Sequence, residues 1–117
     1  MLASAIINRA RLMLADTVAT YRWSDATLII YVNDAVDALT GRRPDLLMED
    51  FGTSAEAIKA LADVVATTGA IDLPDSTTEA MAHYVAYRAL EADSADTANV
   101  NNADRHYQSF LRAAHGL

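Results

Sequence analysis

The chain has 117 residues, with 9 basic and 16 acidic side chains, 3 histidines and a formal net charge of −7. That length suits one domain, 1–117, with a single core, and the lack of any cysteine excludes disulfide scaffolds, thiolate zinc sites, iron–sulfur clusters and thiol nucleophiles. A hydrophobic share of 52% excludes wholesale disorder, and the acidic balance argues against a nonspecific grip on nucleic acid, which needs clustered Lys and Arg.

With 24 alanines against 4 glycines and 2 prolines, the composition favours helices. Leu2, Ile6, Ala10 and Met13, with Leu14 alongside, recur at helical spacing and predict a helix from about Leu2 to Asp16. Asn8, Arg9, Arg11 and Asp16 fall largely off that stripe. Because Arg9 and Arg11 lie inside the apolar pattern and not ahead of it, the segment does not read as a signal peptide. No stretch approaches the ~18–20 apolar residues that span a bilayer. The expectation is a soluble product of a cytoplasm, without a membrane partner.

Thr17 to Trp23 forms a connector. Ser24 has the hydroxyl of an N-cap, and Asp25 adds negative charge at the positive end of the helix dipole. Leu28, Val32, Ala35 and Leu39 follow as a core stripe, widened by Ile29 and Val36, with Asn33, Asp34 and Asp37 on the other side. Gly41 is expected to end this second helix, and Pro44 prevents its continuation. In the middle, Thr53-x-x-Glu56 matches a capping box and predicts a short helix to about Asp63. Val64 to Leu73 could be a short strand, a hairpin or an extended arm. Ser76-x-x-Glu79 is a second capping box, opening a third helix that carries Met81, Tyr84, Val85 and Leu90 to about Asp93. After a polar break, a last helix from about Ala98 to Ala114 bears the stripe Val100, Ala103, Tyr107, Phe110 and Ala114. Short connections favour antiparallel neighbours. The predicted fold is all-α: a small antiparallel bundle of four main helices with an irregular middle segment, about 45–73.

Candidate chemistry is sparse. There is no Gly-rich phosphate loop, nucleophile elbow or paired-histidine helix motif. His83 lies one turn after Glu79, the spacing of a metal corner or, more plainly, of a helical ion pair. His106 flanks the last stripe, and His115 suits a helix C-terminus. The pairs Asp34/Asp37 and Asp93/Asp96 have the spacing of cation or acid/base carboxylates, but in an acidic helical protein they make a solvated face. No catalytic, cofactor-binding or metal residue is assigned, and the chain reads as a non-enzyme. Arg88, inside the run from Tyr84 to Leu90, needs either to snorkel or to find a carboxylate, with Asp34 or Asp37 best placed across a helix interface. Arg22-Trp23 and Arg42-Arg43 are residue types enriched at interface hot spots. Alternatively, Trp23 is a core lid and the two arginines complement the end of the second helix.

The order of Ala10-Arg11, RWSDATL (22–28), YVNDAVDAL (31–39), RRPD (42–45), LPD (73–75), YVAYRALEAD (84–93) and HYQSFL (106–111) resembles the adaptor, or head–tail connector, proteins of tailed bacteriophages. The likeness covers about two-thirds of the chain. The middle, about Asp50 to Leu73, is shorter than in many members, so a docking role on a long middle loop does not carry over. The resemblance implies a noncatalytic virion protein at the head–tail junction, made in the bacterial host cytoplasm. It would form a ring, a dodecamer in the family, beneath the portal protein, dock a downstream tail or stopper protein, and pass packaged DNA without sequence-specific binding or cofactor. Trp23, Arg42, Arg43 and the stretch His106 to Leu117 (His106, Tyr107, Phe110 and Leu117 foremost) are then the candidate assembly contacts, and the 45–73 segment could supply an arm to a neighbour. Residues 1–60 carry a net charge of −2 and 61–117 a net charge of −5. An acidic channel wall would let DNA slide, and the C-terminal half is the first candidate for it. Two other readings are a cytosolic helical regulator that binds a protein or small ligand and, with least support, a small enzyme using Asp34, Asp37 and His83.

Overall fold

Four amphipathic stripes become four helices, and their buried faces meet in one core. The computed structural model describes residues 1–48, 61–93 and 97–116, with helices α1 (Ala3–Leu14), α2 (Asp25–Arg42), α3 (Thr78–Ala92) and α4 (Thr97–Gly116). Short 3-10 turns lie at Pro44–Leu47 and Asp75–Thr77. Among the described residues no helix is long and apolar enough to cross a membrane.

End-to-end contacts set the helix directions. Thr78 at the start of α3 donates to the Met1 sulfur beside the start of α1, at 3.3 Å, and Leu14 and Leu90 at the far ends of α1 and α3 line one cleft. These two helices therefore run the same way. Arg22, just before α2, pairs with Asp93, just after α3. Tyr84 packs on Phe110 and Tyr87 on Tyr107, so α3 and α4 form an antiparallel hairpin. Arg43 at the end of α2 reaches Ala114 near the end of α4. The result is an up-down-up-down bundle, in which α3 packs on all three other helices and most extensively on α4.

The α2 stripe behaves as its spacing predicts. Leu28, Val32, Ala35 and Leu39 are fully buried, and the Ser24 hydroxyl accepts from the Thr27 N–H at 3.2 Å. Gly41, however, does not end the helix, which continues through it to Arg42. The stop comes from Pro44, because the residue before a proline is pushed out of helical dihedrals, and Arg43 sits at φ −127°, ψ 69°. In α1 the buried face is Ala3, Ile6, Ile7, Ala10 and Arg11, while Leu2 is half exposed. In α4, Ala103, Phe110 and Ala114 are buried as expected. Val100 is exposed, beside Tyr87 and Glu91 near the start of α4.

The third helix begins differently from its predicted capping box. The turn Asp75–Thr77 leads straight into α3, so Thr77, in helical dihedrals, occupies the N-cap position without a side-chain cap bond. Its hydroxyl donates to the Pro74 carbonyl at 2.7 Å. Ser76 is not the cap, and Glu79 is drawn away to Arg9 with contacts of 2.8 and 3.1 Å.

Residues 64–73 are neither a strand nor a free arm. Asn33 on α2 brackets the Val64 backbone, its amide donating to the carbonyl and its oxygen accepting from the N–H, both at 2.9 Å. A turn then closes with the Gly69 N–H donating to the Ala66 carbonyl at 2.9 Å. Gly69 is required there, because a Cβ would stand 2.9 Å from the Val64 side chain. The turn carbonyls cap α1 in place of a side chain: Gly69 and Thr67 accept from the Ala3 and Ser4 N–H groups, each at 2.9 Å. An antiparallel bridge joins Leu2 to Ala70, and Val64, Ile71 and Leu73 enter the core. Most of the helix expected from Thr53 to about Asp63, with its Thr53/Glu56 capping box, lies outside the described residues. Residues 61–63 are described and are not helical.

Candidate functional site

The candidate contacts fall into two sets, one around Trp23 and one around Arg42 and Arg43. Around Trp23, the organising group is Arg11, which is 5% exposed. It donates to Asp16 and to Asp25, each at 2.7 Å, and its guanidinium lies 3.9 Å from the Tyr21 ring centre. Asp16, also buried, accepts in addition from the Arg22 N–H at 2.9 Å and the Trp23 N–H at 3.3 Å. The connector is therefore wound round a buried ion pair whose remaining lone pairs are used by backbone donors, the condition under which such a pair is tolerated. Both residues had been placed off the stripe by their polarity. The legible signal was Arg11 at position i+4 from Ile7, in line with the buried face.

This frame presents Arg22 and Trp23 to one cleft of about 300 Å³, which His106, Asn99 and Asn102 also line. Arg22 stacks over Trp23 with 5.0 Å to the ring centre and pairs with Asp93, whose carboxylate also accepts from Asn99 at 2.8 Å. Trp23 is half-buried against the core, part lid and part cleft wall.

In the second set, Arg42 at the end of α2 donates to the Tyr107 hydroxyl at 3.1 Å. Arg43 holds Asp45 with two 2.9 Å contacts and donates to the Ala114 carbonyl at 2.8 Å. It thereby complements the C-terminal end of α4, while Arg42 stands in the last turn of α2. The hydrogen bond from Arg43 holds the Asp45 carboxyl below its ordinary range. Phe110 is fully enclosed against Tyr84, with ring centres 5.0 Å apart. It belongs to the core and offers no surface to a partner, because the hairpin closes over the stripe that carries it. Leu117 lies outside the described residues.

Arg88 finds Asp34 across the α2–α3 interface at 3.6 Å, one of the two options its place in an apolar run left open, and lies over Tyr31. Asp37 is exposed, and Asp96 is outside the described residues. His83 and Arg88, five positions apart on α3, point to different sides of that helix, so Asp34 and His83 do not converge. Tyr87 is pushed up to about 12 by a hydrogen bond with Glu91, helped by burial.

His83 stands beside Glu79, with its Nε2 3.5 Å from the carboxylate, a contact that becomes an ion pair only when the imidazole is protonated. Its Nδ1 lies 3.0 Å from Nδ1 of His106 on α4. Burial pushes both imidazoles below the ordinary histidine value; for His83 the Glu79 carboxylate acts in the opposite sense. Among the described residues no group of three or more His, Asp or Glu side chains could hold a metal ion. No family model, curated protein or solved structure matches the chain.

Proposed function

We propose that this protein is a noncatalytic assembly module of the phage adaptor type, a ring subunit placed between a portal and the next tail or stopper component in the virion. The observation that carries the proposal is the ordered motif series from Ala10-Arg11 to HYQSFL, to which the structure gives concrete roles. Arg11 of the first motif anchors the RWSD segment through Asp16 and Asp25. RRPD locks onto the end of α4. YVAYRALEAD and HYQSFL supply the α3–α4 aromatic interface.

The placement of the candidate contacts supports the same reading. Trp23 and His106 line a cleft at one end, and Arg42 and Tyr107 pair elsewhere on the bundle. A ring requires two different faces on each subunit, one meeting the other on a neighbour, and the bundle offers two such sets. Residues 64–73 are spent on α1 and α2 of their own bundle, so they are not the arm. The charge of −7, weighted to the C-terminal half, suits a conduit that repels DNA phosphates.

The test is to mix the protein with portal particles encoded by the same genome and image them by negative stain. An added ring on the portal is expected, and Trp23→Ala and Arg42→Ala should weaken it. A folded chain that never associates with portal particles would refute the proposal. A monomer in isolation is compatible with it, because free adaptors assemble on the portal.

A further inference from the structure

We propose that the His83–His106 contact is a proton-operated latch on the α3–α4 hairpin, closed while the pair carries at most one added proton and opened by the second. The two Nδ1 atoms stand 3.0 Å apart, a distance that requires one N–H and one lone pair between them. In the neutral pair one ring donates and the other accepts. The first added proton is accommodated: His83 donates from Nδ1 to His106 and turns its Nε2–H toward Glu79, 3.5 Å away. A second proton, on Nδ1 of His106, sets N–H against N–H and places two positive charges at that separation between half-buried rings.

The surroundings do not offset that second charge. On α3 the facing group is Glu79, whose carboxylate is already held by Arg9 of α1. From α4, Arg112 adds positive charge toward His83. On the connector, Arg22 lines the cleft shared with His106 and is matched by Asp93. His106 lies one turn before Phe110 and three residues after Ala103, both buried in the core. Parting the imidazoles therefore loosens the middle of α4 where it seals the hairpin. The latch depends only on the isolated fold, so it stands whether or not the chain assembles into a ring.

The experiment is amide hydrogen exchange on the full chain at about pH 7.5 and about pH 5, corrected for intrinsic rates, with His106→Gln and His115→Gln as comparison variants. Loss of one half-buried hydrogen bond predicts about a fivefold rise in exchange across residues 103–110 of the parent chain at the lower pH. His115→Gln should behave like the parent, and His106→Gln, which carries an amide that does not titrate there, should rise less than about twofold. An unchanged parent chain, or the same acid response in His106→Gln, would overturn the latch. A titration of the parent chain followed by imidazole NMR gives a second test that needs no variant. Two coupled steps for His83 and His106 are expected, and independent single-proton curves would overturn the proposal.

Discussion

Replacing Asp16 by alanine should be the most damaging polar substitution in this chain. The change strips Arg11 of its buried partner and removes the acceptor used by the Arg22 and Trp23 N–H groups. Breaking a buried ion pair from one side costs about 3–5 kcal/mol, and each orphaned backbone donor adds on the order of 1 kcal/mol where water cannot reach it. Two features reduce the total. Asp25 remains as a second acceptor for Arg11, although at 57% exposure it is well screened, and the connector can open to admit water. The net expectation is about 3 kcal/mol. At ~2.1 cal/mol/K per residue, unfolding 117 residues carries about 0.25 kcal/mol/K, so the melting temperature should fall by about 12 °C. Urea denaturation of Asp16→Ala, Arg11→Met and the double variant checks the reasoning. The double variant should be less destabilised than the sum of the two single variants, because it leaves no unpaired buried charge. A loss below about 0.5 kcal/mol for Asp16→Ala, or strict additivity, would show that the pair is not what holds the connector.

Phe110→Ala should cost about 3–5 kcal/mol, read from the urea midpoint, because the ring is fully enclosed between α3 and α4. Gly69→Ala should cost about 1–3 kcal/mol by forcing its new methyl against Val64, and the exchange protection of the Ala3 and Ser4 amides should fall with it. Ala15→Gly should stabilise by about 0.5–1 kcal/mol, since Ala15 holds φ 55° at the end of α1, a conformation glycine adopts without strain. The melting temperature should also depend on pH. The folded-state values of His83 and His106 are lowered, so the unfolded chain takes up protons first. Stability should be full above the ordinary histidine value of about 6.5 and fall as the pH drops below it. On the alkaline side Tyr87, raised to about 12, contributes stability that is lost as the pH climbs from about 10 through that value. A flat thermal profile between about pH 8 and pH 5 would refute the histidine part.

The main helices were legible because each carries a period that only a helix satisfies. The α2 stripe and its Ser24 cap came out as read, and of the two options read for Arg88, snorkelling or a carboxylate on α2, the pairing with Asp34 is present. Local signals failed where a distant partner outcompeted a near one. Glu79 had the spacing to cap α3 from Ser76, but the turn Asp75–Thr77 moves the N-cap position to Thr77, and the carboxylate instead makes a two-point contact with Arg9 of α1. Gly41 had the identity of a helix terminator, yet nothing requires it to leave helical dihedrals, whereas Pro44 constrains its neighbour outright. Arg11 and Asp16 read as surface charges because each alone would be costly to bury, and only their pairing makes the position tolerable. The segment 64–73 carried no periodicity, since its conformation answers to Asn33 and to the open N–H groups of α1 and not to its own neighbours.

The sequence by itself determined an acidic, cysteine-free, all-α chain with four helices and the stripes that bury them, because periodicity and caps act within a few residues. Only the tertiary structure decided which polar groups meet: Arg11 with Asp16 and Asp25, Arg43 with the end of α4, and His83 with His106. Those contacts join positions on different elements, and their energies depend on distances and burial that exist only once the helices have packed.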